Sequence, residues 1–323
     1  MKLNKNKRGI FFTLIGILLS ALVLLTISYE YSYQNIYREE AITYRVNSIN
    51  NDMKSITNDL PREIYIGGFR TLLGMQNYID ENGRFFNNSK EAFKEIFLTG
   101  FYQNKSINIM ENSSLNDWKS RIIKEMRTDE INAVINVTNV SVYQNNPWSI
   151  MVNVTAFISL KDNELSVTLN KTVKSSNSIS IIGLEDPIFT IYSYGRISRE
   201  VQKSNLTEFV HEDNTTGLMT ELKNKLYIQS STAPDYLMRL EGNLSNSTYG
   251  IESLVNITEL TDVGLPAREK SIVDYIYFSN RTTQDLCVNN SKADPDLPTW
   301  FRLDKNDNHV EVYQIGSINQ TCS

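Results

Sequence analysis

Residues 10–27 read IFFTLIGILLSALVLLTI, eighteen residues without a charge. That is the lower edge of the length a helix needs to cross the apolar core of a bilayer. Lys2, Lys5, Lys7 and Arg8 precede the stretch, and Tyr29, Glu30, Tyr31 and Tyr33 follow it. Basic residues favour the cytoplasmic side and tyrosine rings favour the membrane–water interface. The segment therefore predicts a single-pass transmembrane helix, with residues 1–9 as a cytoplasmic basic leader and the bulk of the chain outside. The rival is a cleaved secretory signal, whose apolar core is usually shorter. Thr26-Ile27-Ser28 is a poor version of its small-x-small site. Both readings place the bulk of the chain beyond a cell membrane.

Helical spacing continues past the apolar stretch. Ile42, Val46, Ile49, Met53, Ile56 and Leu60 recur every three or four residues, a heptad-like stripe. Arg45, Asn47, Asn50, Asn51, Asp52 and Lys54 occupy the other face. Residues 28–60 thus predict an amphipathic stalk helix, with Pro61 ending it or starting the next. The stripe suits either self-association or packing on the chain's own ectodomain, and spacing alone does not separate them.

Lys7-Arg8-Gly9 followed by Ile10-Phe11-Phe12-Thr13-Leu14-Ile15 resembles the leader of type IV prepilins, the kind found in archaeal pilin-like surface proteins. The resemblance is confined mainly to residues 1–27. It implies cleavage between Gly9 and Ile10 and burial of the apolar segment in a filament core. Bacterial-type members carry Glu at the fifth mature position, where this chain has Leu14.

Fifteen Asn-x-Ser/Thr triplets follow the apolar stretch and none precedes it. They begin at Asn87, Asn104, Asn112, Asn136, Asn139, Asn153, Asn170, Asn205, Asn214, Asn243, Asn246, Asn256, Asn280, Asn289 and Asn319. The composition would give roughly six by chance, and the nine asparagines before Asn87 form none. Each is an acceptor pattern for N-glycosylation, which agrees with an extracytoplasmic location.

The ectodomain reads as α+β. Residues 61–186 predict short helices and then antiparallel sheet, with Gly67-Gly68 as a weak point in the first helix. Ser114-Leu115-Asn116-Asp117 opens a helix in the manner of a capping box. Residues 131–143, 148–160, 164–173 and 179–184 read as strands separated by turns at Asn145-Asn146-Pro147 and Asp162-Asn163. Glu185-Asp186-Pro187 reads as a boundary, and residues 187–323 as a second α+β part. Residues 300–303 and 309–315 predict a C-terminal hairpin turning at 305–308. Cys287 and Cys322, the only cysteines, bracket it. An even count outside the cell favours one disulfide.

No cofactor or metal motif is present, so none is expected. The formal net charge of −5 argues against nucleic acid as a partner. A His-dependent catalytic device must use His211 or His309, both of which read as surface residues. Asp304, Asn306 and Asn308 copy half a calcium loop, but His309 and Ile315 replace the Gly and Glu it needs. No carboxylate pair is recommended by spacing, and no catalytic residue is expected. The leading expectation is a structural or adhesive surface protein, possible partners being the lipid bilayer and further copies through the stalk. A ligand-binding ectodomain is the alternative and a tethered hydrolase the third.

Overall fold

The computed structural model describes residues 7–163, 167–212, 214–280, 285–289, 297–305, 307–318 and 320–322. Asn306, Asn319, the leader before Lys7 and residues 290–296 lie outside these. One helix, α1 (Lys7–Asn82, 76 residues), dominates. At 1.5 Å per residue it is about 114 Å long. It carries the stretch long and apolar enough to cross a membrane.

The helix does not end at Pro61, as the sequence predicts; it continues through it. Proline inside a helix costs about 3 kcal/mol. Beyond it Ile64, Leu72, Met75, Tyr78 and Ile79 are all buried on the stripe that Ile49, Met53, Ile56 and Leu60 begin. Burying each such side chain is worth about 1.5–3 kcal/mol, so packing outweighs the proline. Asn177 also donates from Nδ2 to the Pro61 carbonyl at 3.0 Å. Gly67 and Gly68 do not weaken the helix either. A Cβ on Gly68 would lie 2.3 Å from Ile179 Cδ1, so the glycine permits a close approach of helix and sheet. Ile49 and Met53 face the chain's own core, whereas Val46, earlier on the stripe, is exposed.

Next come α2 (Ser89–Thr99), a small hairpin of β1 (Phe101–Tyr102) and β2 (Lys105–Ser106), and α3 (Leu115–Thr128). The capping box at Ser114 and Asp117 is present in both directions. The antiparallel meander β3 (Ile131–Asn146), β4 (Ser149–Asp162), β5 (Thr168–Ser180) follows in sequential order. Alternate residues of β4, from Ile150 to Leu160, are buried against the helices. Such alternation is what a sheet with one covered face requires. The expected separate strand at 179–184 is a correction: Ile179 belongs to β5, and the chain turns at Leu184, whose amide bonds the Ile181 carbonyl.

The remainder is built of short pieces: α4 (Pro187–Tyr192), α5 (Thr216–Lys223), β6 (Tyr227–Gln229), α6 (Tyr236–Leu240), β7 (Ile251–Ser253), α7 (Ile257–Asp262), α8 (Asp274–Tyr277), β8 (Leu286–Asn289), β9 (Arg302–Asp304), α9 (His309–Val312) and β10 (Gln320–Cys322). β6 pairs with β7, and β10, β8 and β9 form a sheet in that order. The segment expected to be the second strand of the C-terminal hairpin, 309–315, is instead α9 and a following turn. A helical turn brings His309 and Tyr313, four residues apart, to one acceptor, Glu252. β9 finds its partner in β8. Cys287 and Cys322 stand opposite each other in β8 and β10 and are joined, as the sequence predicts. Closing the 35-residue separation contributes about 3–4 kcal/mol in the chain-entropy model.

Candidate functional site

Two surfaces and two buried networks are the places where function could reside. The first surface is the N-terminal half of α1. From Phe11 to Tyr44 its described side chains are exposed, apart from half-buried Ile15 and Ile42. Phe11, Phe12, Leu14, Ile17, Leu18 and Leu19 are among them, with Tyr29, Tyr31, Tyr33, Tyr37 and Tyr44 further along. Up to Ile27 the helix is apolar all round, and such a stretch needs lipid or protein about it. Its first tie to the ectodomain is Arg45, which pairs with buried Asp162 and donates to the Asp129 carbonyl at 2.5 Å.

The second surface is the outer face of the β3–β4–β5 meander. Asn136, Asn139, Asn153 and Asn170 all lie on it. Asn136 sits opposite Phe157, Asn139 opposite Thr155, Asn153 opposite Ser141, and Asn170 opposite Ser159. Asn136 and Asn139 are an odd number of residues apart, so a regular strand would turn one of them inward. A bulge between Val137 and Asn139 restores the outward direction. Elsewhere, Asn87, Asn104, Asn112, Asn205, Asn214, Asn243, Asn246 and Asn280 are exposed, and Asn256 and Asn289 are half-buried. Asn256 Oδ1 caps α7, which leaves its Nδ2 for a glycan. No described sequon asparagine is buried.

The first buried network centres on Arg239. Its Nη1 donates to Asp186 Oδ2 at 2.5 Å and to Asp274 Oδ2 at 3.0 Å, and its Nη2 donates to the Ile251 carbonyl. Tyr227 donates to Asp186 at 2.8 Å, and Ser253 gives its amide and hydroxyl to Asp274. All three charged side chains are wholly buried. Burial pushes Asp186 upward, and the Arg239 guanidinium works against that rise. Asp186, at the expected boundary, therefore ties the two parts together. Gln76 of α1 reinforces the joint, donating to the Glu185 carbonyl and to Tyr236 Oη.

The second network centres on His309, and here the reading as a surface histidine is corrected. His309 is fully buried. Its Nδ1 lies 2.8 Å and 2.9 Å from the two Asp304 oxygens, and its Nε2 lies 3.3 Å from both Glu252 Oε2 and Tyr275 Oη. Tyr313 donates to the other Glu252 oxygen at 3.1 Å. Burial alone would lower the imidazole, but the bonds to Asp304 and Glu252 outweigh it and hold His309 at about 10. Nothing in the sequence announces this, because Glu252 is 57 residues away. His211 is on the surface as expected, against Glu208 at 3.0 Å.

Asp304, Asp307 and His309 also carry potential metal-ligating atoms within 4.8 Å of one another. Protonated His309 already supplies the positive charge there, and a cation would have to displace its proton. Of the half calcium loop, Asp304 binds His309 and Ser271 rather than facing an open loop. Glu252, Tyr313 and His309 are all closed off from solvent.

A groove of about 380 Å³ runs between α1 and α3, lined by Asp59, Glu63, Arg70, Trp118 and Arg121 among others. Trp118 Nε1 donates to Asp59 at 2.8 Å, and Arg121 pairs with Glu63 at 3.6 Å. Burial raises Glu63 to about 7, with Arg121 opposing.

Searches of protein-family models, curated proteins and solved structures return no match to this chain. The functional reading therefore rests on the geometry above.

That geometry fixes a pH dependence. Glu63 holds its proton more tightly in the folded state, so stability falls as pH rises from about 4.5 to about 7. His309 likewise binds its proton more tightly when folded. Its contribution is complete below about 6.5 and is lost as pH rises through about 10. Thermal denaturation is expected to show Tm declining between pH 7 and pH 10. In His309→Gln the alkaline decline disappears, although that variant is less stable throughout. An unchanged slope in His309→Gln would refute the assignment.

Proposed function

We propose that this chain is a membrane-anchored, extracytoplasmic structural surface protein of pilin-like build. The observation that carries the reading is the single helix α1. Its first half is exposed and, up to Ile27, apolar, and its second half is the spine on which an antiparallel meander is folded. Lys2, Lys5, Lys7 and Arg8 orient the leader to the cytoplasm, and the ectodomain lies outside with its sequons turned to solvent. Glycans on the outer face of the meander shield that face from non-specific contact. Self-association uses the helix before Ile49, because the later stripe is filled by the subunit's own core. The chain is not read as an enzyme. In the α1–α3 groove, Glu63 is matched by Arg121 and Asp59 by Trp118, as in a helix–helix seam.

Both native cysteines are joined to each other, so a single introduced cysteine reports contacts between copies. Leu22→Cys, in the exposed half of α1, is expected to give disulfide-linked dimers in filaments sheared from cells. Absence of the protein from the sheared fraction, with only monomer in the membrane, would defeat the pilin-like reading.

A further inference from the structure

The C-terminus of α4 holds a residue where glycine is the usual choice. Gly195 N bonds the Thr190 carbonyl and Tyr194 N bonds the Ile191 carbonyl, the two bonds of a Schellman cap. Tyr194 occupies its left-handed position with φ 57°. A bulky side chain is disfavoured there, and such outliers gather at ligand sites. Tyr194 is also 82% exposed, so core packing does not explain it.

Tyr194 stands at a pocket of about 310 Å³, together with Tyr192, Leu265, Arg268, Tyr277 and Phe278. Tyr192 and Phe278 stack on each other with centroids 5.2 Å apart and planes at 11°, which holds that wall in place. No acidic residue among those described lines the pocket. Arg268 is exposed and pairs with no carboxylate among the described residues. Its Nη1 reaches only the Tyr277 carbonyl, at 3.5 Å.

We propose that this pocket binds a sugar ring bearing a carboxylate, an acidic saccharide of the uronate type. The volume suits a small ligand rather than a folded partner. A pyranose has one apolar C–H face, which the exposed ring of Tyr194 can cover, and hydroxyls that stay hydrated at an open mouth. A flat aromatic acid would need both faces withdrawn from water, and the exposed Tyr194 rim does not provide that. The unpaired guanidinium supplies the fork that a carboxylate accepts. The site is independent of filament assembly and stands whether or not the chain polymerises.

Titration calorimetry on the full chain in detergent tests this with D-glucuronate, D-glucose and benzoate. Glucuronate is expected to bind on the order of ten-fold more tightly than glucose, and benzoate more weakly than glucuronate. Tyr194→Gly is expected to weaken glucuronate on the order of ten-fold while Tm stays level or rises, since glycine suits the cap. Arg268→Gln is expected to bring glucuronate to the level of glucose. No glucuronate binding, tighter benzoate binding, or wild-type affinity in Tyr194→Gly would each overturn the proposal.

Discussion

Arg239→Met is expected to destabilise the ectodomain by about 3–5 kcal/mol, the range for removing one partner of a buried ion pair. Arg239 is the only cation against Asp186 and Asp274 in the described network, and all three are sealed from water. Methionine fills much of the volume but leaves two carboxylates with neutral donors alone: Tyr227 and the Ile188 amide on Asp186, and Ser253 and the Tyr275 amide on Asp274. Asp186, which burial already pushes upward, would then take up a proton more readily, so the deficit should shrink as pH falls through the range where it ionises. Thermal denaturation would show a Tm lower by on the order of 10 °C at pH 7. A drop of only a degree or two would mean that water reaches the network and that Arg239 does not join the two parts of the ectodomain.

Gly250→Ala is expected to cost about 3 kcal/mol, at the upper end for forcing atoms into a packed site. A Cβ on Gly250 would stand 2.0 Å from the Ala233 carbonyl oxygen and 2.4 Å from that of Ser230. Both are backbone atoms held in place: the Ala233 carbonyl takes the Ser247 amide, and the Ser230 amide bonds the Gly250 carbonyl. No rotamer change relieves such a clash, so β7 itself must move. β7 carries the Ile251 carbonyl and Ser253 of the Arg239 network on one side and Glu252 of the His309 network on the other. One methyl group is thus expected to loosen both. The same substitution at Gly16, with nothing within 4 Å of its Cβ, should leave Tm unchanged. Equal Tm values for the two variants would show that the chain near Ala233 yields.

Much of the N-terminal architecture was legible. The apolar stretch, the stripe, the capping box at Ser114 and the first three of the four expected strands follow local periodicities that the structure keeps. Pro61 misled because its local cost is visible, whereas the five buried side chains beyond it act only after the sheet has formed. The spacing of Asn136 and Asn139 was a readable clue to the bulge: two outward sequons an odd number of residues apart cannot share a face of a regular strand. His309 was not readable. The alternating apolar residues around it suggest a strand, and its partners Asp304, Glu252 and Tyr275 converge only through tertiary folding. The pocket at Tyr194 was hidden for a similar reason, since its walls come from α4, α7 and the segment around α8.

The central claim is that α1 begins as a processed, pilin-like segment and continues unbroken into a glycosylated ectodomain. Mass spectrometry of the native membrane-associated protein, intact and after digestion, tests it most directly. The account predicts a mature N-terminus at Ile10, with Lys2 to Arg8 removed, and added glycan mass on asparagines of the outer meander face. A protein that retains Lys2 to Arg8, with Asn136, Asn139, Asn153 and Asn170 all unmodified, would contradict it.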